Sequence, residues 1–368
     1  MPAAVLAFGL IATACTSEEP TDDDTPEEGT DADADADADE PDDSGATDDD
    51  AGSILDQVLD RGTLNCGTSG QLPGFSAPDA DGNMTGFDAD TCRAIAAAVL
   101  GDAEAVEFRE LTAQERFTAL QGGQIDVLVR NTTATATRDG QEGTTFQPTT
   151  FYDGQGFMVP ADSAIQEGLD LDGATVCVLS GTTTELNLTS YQTAEGISIE
   201  PLTFADNNQL LPAFEAGQCD AMTTDKSGLA GIASESSTEL RILPDTISKE
   251  PLGPGTPDGD AEWDQVVHWV VMGLIQAEEF GINSGNIGDF ADSEDPSIQR
   301  FLGQETEDAT TFDAGLGLPV TWAQDMVSQV GNYGELYEKH IVPLGLERAG
   351  TPNALWTDGG LMYSWPYR

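Results

Sequence analysis

From residue 53 onward, short apolar runs alternate with amphipathic stretches, and this alternation confines the chain to layered α/β architectures. Leu64–Thr68 reads as a strand, followed by a Gly- and Pro-containing turn through Phe75. Asp88 stands where it would cap a helix over Ala89–Leu100, and Val106–Phe108 reads as a second strand. Thr112 and Glu115 have the spacing of a capping box, opening a helix that runs to Gln121. Ile125–Val129 is apolar enough to be a buried strand. The pattern resumes with Thr175–Leu179 as strand, Thr183–Tyr191 and Leu210–Ala216 as helices, and Cys219–Thr223 as strand. A longer helix is predicted over Ala261–Glu279, and the aromatic-rich tail from Gly331 reads as irregular. Strands joined by helices in this order predict parallel sheets. Gly123–Val129 (GQIDVLV) and Gly217–Thr223 (GQCDAMT) each follow an amphipathic helix and lead into a polar segment. This internal echo predicts two similarly built lobes rather than a solenoid.

The first 52 residues obey other rules: they hold 18 Asp or Glu and no Lys or Arg. Residues 16–52, which include DADADADADE at Asp31–Glu40, have almost nothing to bury and are predicted to form an extended, disordered spacer. Ahead of them, Ala3–Ala14 is apolar, too short to span a bilayer but suited to the core of a signal peptide. Ala12-Thr13-Ala14 before Cys15 resembles a bacterial lipobox, so residues 1–15 read as a signal peptide and Cys15 as a lipidation site, with ordinary secretion as the alternative.

The net charge is −54, and the chain after residue 52 still carries 49 acids against 13 bases, or −36. Such a chain does not bind nucleic acid, and it has no basic face for an anionic membrane leaflet. The acidity is that of a self-repelling soluble surface or of one adapted to salt. Only two histidines occur, and neither a nucleophile–base pair nor a metal-ligand cluster is visible, so no catalytic residue, cofactor or metal is predicted. Asp79–Asn83 has the look of a calcium loop, but Gly82 falls at the wrong position, and a hairpin turn is expected there.

Three segments carry chemistry. Arg130–Arg138 (RNTTATATR) follows a strand, where open α/β sheets bind ligands, and places two scarce arginines among hydroxyls. Arginine's planar fork grips a carboxylate at two points, although a surface ion pair is the competing reading. Ser180–Glu185 (SGTTTE) joins a strand to a helix whose N-terminal N–H groups suit an anion, or serves as an ordinary cap. Thr223–Lys226 (TTDK) places Asp225 after a further strand, where a carboxylate can hold an ammonium group or close a turn.

Residues 54–368 resemble the solute-binding proteins of polar amino acid ABC transporters, and within them the general L-amino acid branch. Among the matching stretches are ERFTALQGGQIDVLVRNTTATATRD, SGTTTELNL, CDAMTTDKSGL, ISKEPLGP and NALWTDGGLMY. The resemblance implies a two-lobed periplasmic-binding-protein fold of type II, with the ligand between the lobes. Residues 53–157 and 251–368 would form lobe 1 and residues 158–250 lobe 2, with crossings near Gly156–Pro160 and Ser248–Gly253. It further implies that Arg138, Thr133, Thr182 and Thr183 hold the ligand carboxylate and that Asp225 holds its amine. Ser69, Leu72, Phe75, Arg130 and Asn131 would line the side-chain pocket. Leu72 replaces the stacking aromatic of narrower relatives, and Ser69 replaces the acid of basic-amino-acid binders, so broad specificity is expected. The partners implied are an L-amino acid and the permease of an ABC transporter, engaged by a monomer that meets the membrane only through its lipid anchor. A dehydratase-like enzyme or a sensing ectodomain are the alternatives on this fold. For such an exported chain, bridges Cys66–Cys92 and Cys177–Cys219 are predicted, with free buried thiols as the alternative, and the fifth cysteine is left for the lipid.

Overall fold

The computed structural model describes residues 52–305 and 311–368; the signal-peptide segment, Cys15 and nearly all of the acidic spacer lie outside them. After helix α1 (Ile54–Arg61) come β1 (Leu64–Thr68) and the hairpin β2 (Ala77–Pro78) and β3 (Met84–Thr85). The Asp79 carboxylate accepts the N–H groups of Asp81 and Asn83 at 2.9 Å each, which makes the turn of this hairpin, as expected. Then follow α2 (Phe87–Leu100), β4 (Val106–Glu110), α3 (Arg116–Gln121), β5 (Val127–Leu128), α4 (Ala136–Gln141) and β6 (Thr144–Phe146). A short strand β7 (Phe151–Asp153) leads into β8 (Gln155–Pro160), β9 (Thr175–Leu179), α5 (Thr183–Glu195) and β10 (Glu200–Phe204). Next are α6 (Asn207–Glu215), β11 (Ala221–Asp225), α7 (Lys226–Glu235), β12 (Leu240–Ile242), β13 (Glu250–Leu252) and β14 (Gly255–Pro257). Helices α8 (Ala261–Glu279), α9 (Pro296–Phe301), α10 (Trp322–Gln329) and α11 (Tyr333–His340) complete the described chain.

The strands make two five-stranded sheets of one plan, ordered β4-β1-β5-β14-β6 and β10-β9-β11-β8-β12. In each, the first three strands are parallel and the last two are antiparallel to their neighbours. The expectation of parallel sheets is thus corrected for half of each sheet. The antiparallel strands flank the points where the chain crosses between sheets, and a chain that has just crossed enters from the opposite direction. The crossings pair with each other, β7 antiparallel to β13. Residues 155–160 belong to the second sheet, so the expected boundary after residue 157 falls inside β8, and the first crossing lies at β7, ahead of Gly156–Pro160.

The sequence echo has a structural counterpart. Gly123 and Gly217, at φ +63° and +75°, follow the ends of α3 and α6 in a conformation that favours glycine. Asp126 and Asp220 come next. Asp126 exchanges two hydrogen bonds with Asn65 at the start of β1 (2.9 and 2.6 Å), and Asp220 does the same with Thr175 at the start of β9 (2.9 and 2.8 Å). Each half also has its disulfide: Cys66 on β1 is bonded to Cys92 on α2, and Cys177 on β9 to Cys219 before β11, with Cα separations of 6.2 and 5.7 Å.

Two local expectations change. Asp88 does not cap α2: the helix starts two residues earlier, at Phe87 after Gly86, where a Cβ would sit 2.1 Å from the Phe75 carbonyl oxygen. The tail is not irregular throughout, because Asn332 and Glu335 make a reciprocal capping box that starts α11. This tail supports the hinge. The Asn353 side chain exchanges hydrogen bonds with the Tyr152 backbone at 2.7 and 3.0 Å, and the Tyr333 hydroxyl donates to the Thr150 carbonyl. Helix α8 is the keel of the first half. Val266, Val267, Val270, Val271, Leu274 and Ile275 are buried at helical spacing, and the Trp263 indole donates to the Asp126 carbonyl at 2.8 Å.

Candidate ligand-binding cleft

A cavity lies between the two sheets, beyond the carboxyl ends of β5, β9 and β11. Arg116, Arg130, Asn131, Thr133 and Arg138 wall it from one side, and Thr182, Thr183, Thr224 and Asp225 from the other. The walls touch: the Thr133 and Thr183 hydroxyls are 3.3 Å apart, and Asn207 and Asn208 both bond to Gln71 at 3.4 Å. A Cβ added to Gly231 on α7 would lie 2.5 Å from the Pro73 carbonyl oxygen, so the halves meet backbone to backbone there.

Each group is set by its local fold. Thr135 caps α4 by accepting from the Arg138 N–H at 3.2 Å, and one Arg138 guanidinium nitrogen donates to the Thr133 carbonyl at 2.9 Å. The guanidinium lies 5.5 Å from the Phe117 ring centroid, and the side chain is buried. Thr182 is the N-cap of α5, accepting from the Glu185 N–H at 3.1 Å, and its own proton is used within the turn, on Leu179 or Thr184. What this helix offers to an anion is therefore the first-turn N–H groups of Thr183 and Thr184, which have no partner inside the helix.

Asp225 ends β11 immediately before α7, yet its side chain makes no capping bond, and its Oδ1 is buried without any partner. Burial, together with the Asp153 and Glu250 charges, pushes its carboxyl well above the usual range, against the pull of Arg138 and Arg116. A bound ammonium group would satisfy this oxygen. Ser69, Leu72, Arg130 and Asn131 also line the cavity. Asn131 has φ +33°, held there by the Asp88 carboxylate, which accepts its N–H at 2.7 Å. Phe75 is the exception: it is buried among Phe87 and Phe151, with ring centroids 6.3 and 5.5 Å away, and forms no part of the wall. The apolar core of the first half claims its ring.

Arg116 was not among the expected site residues. It opens α3, a position that reads as a surface helix start, yet it is 2% exposed and lines the cavity with Nε and one terminal nitrogen lacking any partner. Burial and the Arg138 and Arg130 charges push its guanidinium well below the ordinary value, and burial lowers Arg130 to about 10. Three arginines face one cavity, and Arg116 keeps buried donors without a partner, so this wall is strongly cationic.

The buried carboxyls have a consequence for pH. Burial raises Asp88 to about 7 and Asp153 to about 6, and Asp225 in the same direction. Groups raised in the folded state favour folding when protonated, so the ligand-free protein is expected to gain stability as pH falls from about 7 towards 4. Affinity for a ligand whose ammonium group meets Asp225 should move the opposite way, because that contact needs Asp225 ionised. Urea denaturation and calorimetric titration at pH 5 and pH 7.5 check both signs.

Residues 64–341 match the bacterial extracellular solute-binding proteins, family 3. The chain is 46% identical over 321 residues to the General L-amino acid-binding periplasmic protein AapJ of Rhizobium johnstonii, covering 86% of this chain and 93% of the relative. It is 44% identical over 322 residues to the glutamate/glutamine/aspartate/asparagine-binding protein BztA of Rhodobacter capsulatus, covering 86% and 94%. A solved ABC transporter periplasmic binding protein from Brucella ovis, with glutathione bound, superposes with a TM-score of 0.83 at 42% identity, covering 86% of this chain and all of that one. A two-lobed α/β fold, a cleft between its halves and these likenesses together identify the chain as a member of the bacterial extracellular solute-binding proteins, family 3.

Proposed function

We propose that the protein captures L-amino acids outside the cytoplasm, by closing the half built on the β4-β1-β5-β14-β6 sheet against the half built on the β10-β9-β11-β8-β12 sheet, and delivers them to the permease of an ABC transporter. The observation that carries this reading is the pairing, in one cavity, of Arg138 and the α5 N-terminus with the unpartnered oxygen of Asp225. These are a carboxylate site and an ammonium site, the two constant features of an α-amino acid. Contacts from both walls exist only when the cleft is closed, so binding shifts the open–closed balance and presents the closed form to the permease. Relatives named as binders of general L-amino acids and of glutamate, glutamine, aspartate and asparagine support the ligand class.

Arg116 and Arg130 refine the specificity. Their donors suit a side chain ending in carboxylate or amide, so glutamate, aspartate and their amides should bind best within a broad range. Basic side chains would meet like charge. The protein binds rather than transforms its ligand; the relatives and the family are binding components of transport. Acylation of Cys15 after Ala12-Thr13-Ala14, followed by the acidic spacer, would tether a monomer to the membrane with room to reach the permease.

A thermal-shift screen of the twenty L-amino acids, with glutathione included for its γ-glutamyl α-amino acid end, tests the proposal at low and high salt. Ligand at 100 times Kd stabilises by about 2.7 kcal/mol, enough to raise the midpoint visibly. Several acidic and amide amino acids should do so. No shift with any of them, or a shift with arginine and lysine alone, would overturn the reading.

A further inference from the structure

We propose that Glu250 is a positioning residue for ligand capture, a latch on the hinge strand that ties both cleft walls together in the closed form. The inference rests on reading the cleft as the ligand site. Glu250 begins β13, one of the two crossing strands, and is 1% exposed. Its Oε2 accepts from the Thr133 hydroxyl at 2.6 Å on one wall and from the Thr183 hydroxyl at 2.8 Å on the other. Its Oε1 accepts from the Asn187 amide at 2.7 Å, on the same helix as Thr183, and from the Ser248 hydroxyl. A buried carboxylate needs such partners, and here they come from both sheets and from the hinge itself. Opening the cleft must take Thr133 away from Thr183 and Asn187, so Glu250 cannot keep all four donors in the open state.

The latch also changes how the ligand carboxylate is held. A threonine hydroxyl has one proton, and those of Thr133 and Thr183 are committed to Glu250. The ligand anion is left to Arg138 and to the α5 N–H groups, while the two hydroxyls supply fixed edges and lone pairs. By favouring the closed geometry before ligand arrives, Glu250 raises the fraction of molecules competent to retain it, and apparent affinity rises by that factor.

Glu250→Gln is the direct test, because an amide keeps one acceptor but turns the other into a donor facing donors. Asn187→Ala is the second variant: Asn187 lies outside the cavity lining, so it reaches the ligand only through Glu250. With L-glutamate as probe and stopped-flow fluorescence as readout, Glu250→Gln should weaken binding by about tenfold and Asn187→Ala by about threefold. Both losses should lie in faster dissociation, with association unchanged. The double variant should bind no more weakly than Glu250→Gln alone. Arg138→Met is measured alongside. If it abolishes binding while both latch variants stay within twofold of the parent, or slow association only, the latch is wrong and the cleft reading stands. If Arg138→Met itself binds normally, the reading of the cleft fails first.

Discussion

Replacing Arg138 with Met is expected to weaken L-glutamate binding by about 2–5 kcal/mol, roughly 30- to 4,000-fold. The size follows from the setting. Arg138 is fixed before any ligand arrives, by the Thr135 cap on its backbone, the Thr133 carbonyl on its guanidinium and the Phe117 face beneath it. Little is lost in ordering it when a carboxylate binds, and closure removes the water that would screen the pair. Methionine keeps the length and apolar contact of the stem, so the loss reports the charge and its hydrogen bonds. Isothermal titration checks it, and a loss below about threefold would remove Arg138 from the site.

Arg116→Met should split stability from function. In the ligand-free protein Arg116 is a buried cation with unpartnered donors beside two other arginines, so its removal is expected to raise the urea midpoint. The same change should weaken L-glutamate and L-aspartate by about 1.5–3 kcal/mol, the range for hydrogen bonds to charged groups, and leave L-alanine within about twofold. Chemical denaturation and titration with the three amino acids measure both effects. A destabilised variant with unaltered preference among them would make Arg116 a structural residue.

Much of this site is legible in the chain because strand ends and capping signals are local. Thr133, Thr182 and Thr183 come shortly after the apolar runs that become β5 and β9, Asp225 ends β11, and Arg138 lies in the short helix that follows β5, so all of them sit near strand ends, where the topology faces the cleft. Asn332 and Glu335 carried an equally local signal for α11. Arg116 and Glu250 are different. Arg116 sits at the start of a helix like any exposed arginine, and nothing in its local pattern signals that its side chain is buried beside the Arg130 and Arg138 charges. Glu250 lies between a serine–lysine pair and a proline in a crossing strand, and its significance appears only when Thr133 and Thr183, 50 residues apart, meet on either side of it. Phe75, which the family resemblance implied for the side-chain pocket, has its ring packed in the aromatic core beside Phe87 and Phe151, a placement set by tertiary contacts.

The charge also separates into parts with different consequences. Scattered acids leave the described surface strongly negative, and against that background a cavity facing three arginines is an exception that concentrates anion affinity in one place.

The most direct test of an α-amino acid cleft compares L-glutamate with glutarate, which keeps both carboxylates and lacks only the ammonium group, by isothermal titration at pH 7.5. L-Glutamate should bind one to one, and glutarate about 30-fold more weakly or worse, because the buried, unpartnered oxygen of Asp225 would be left without the ammonium group. Equal affinity for the two, or heat from neither, would contradict the account.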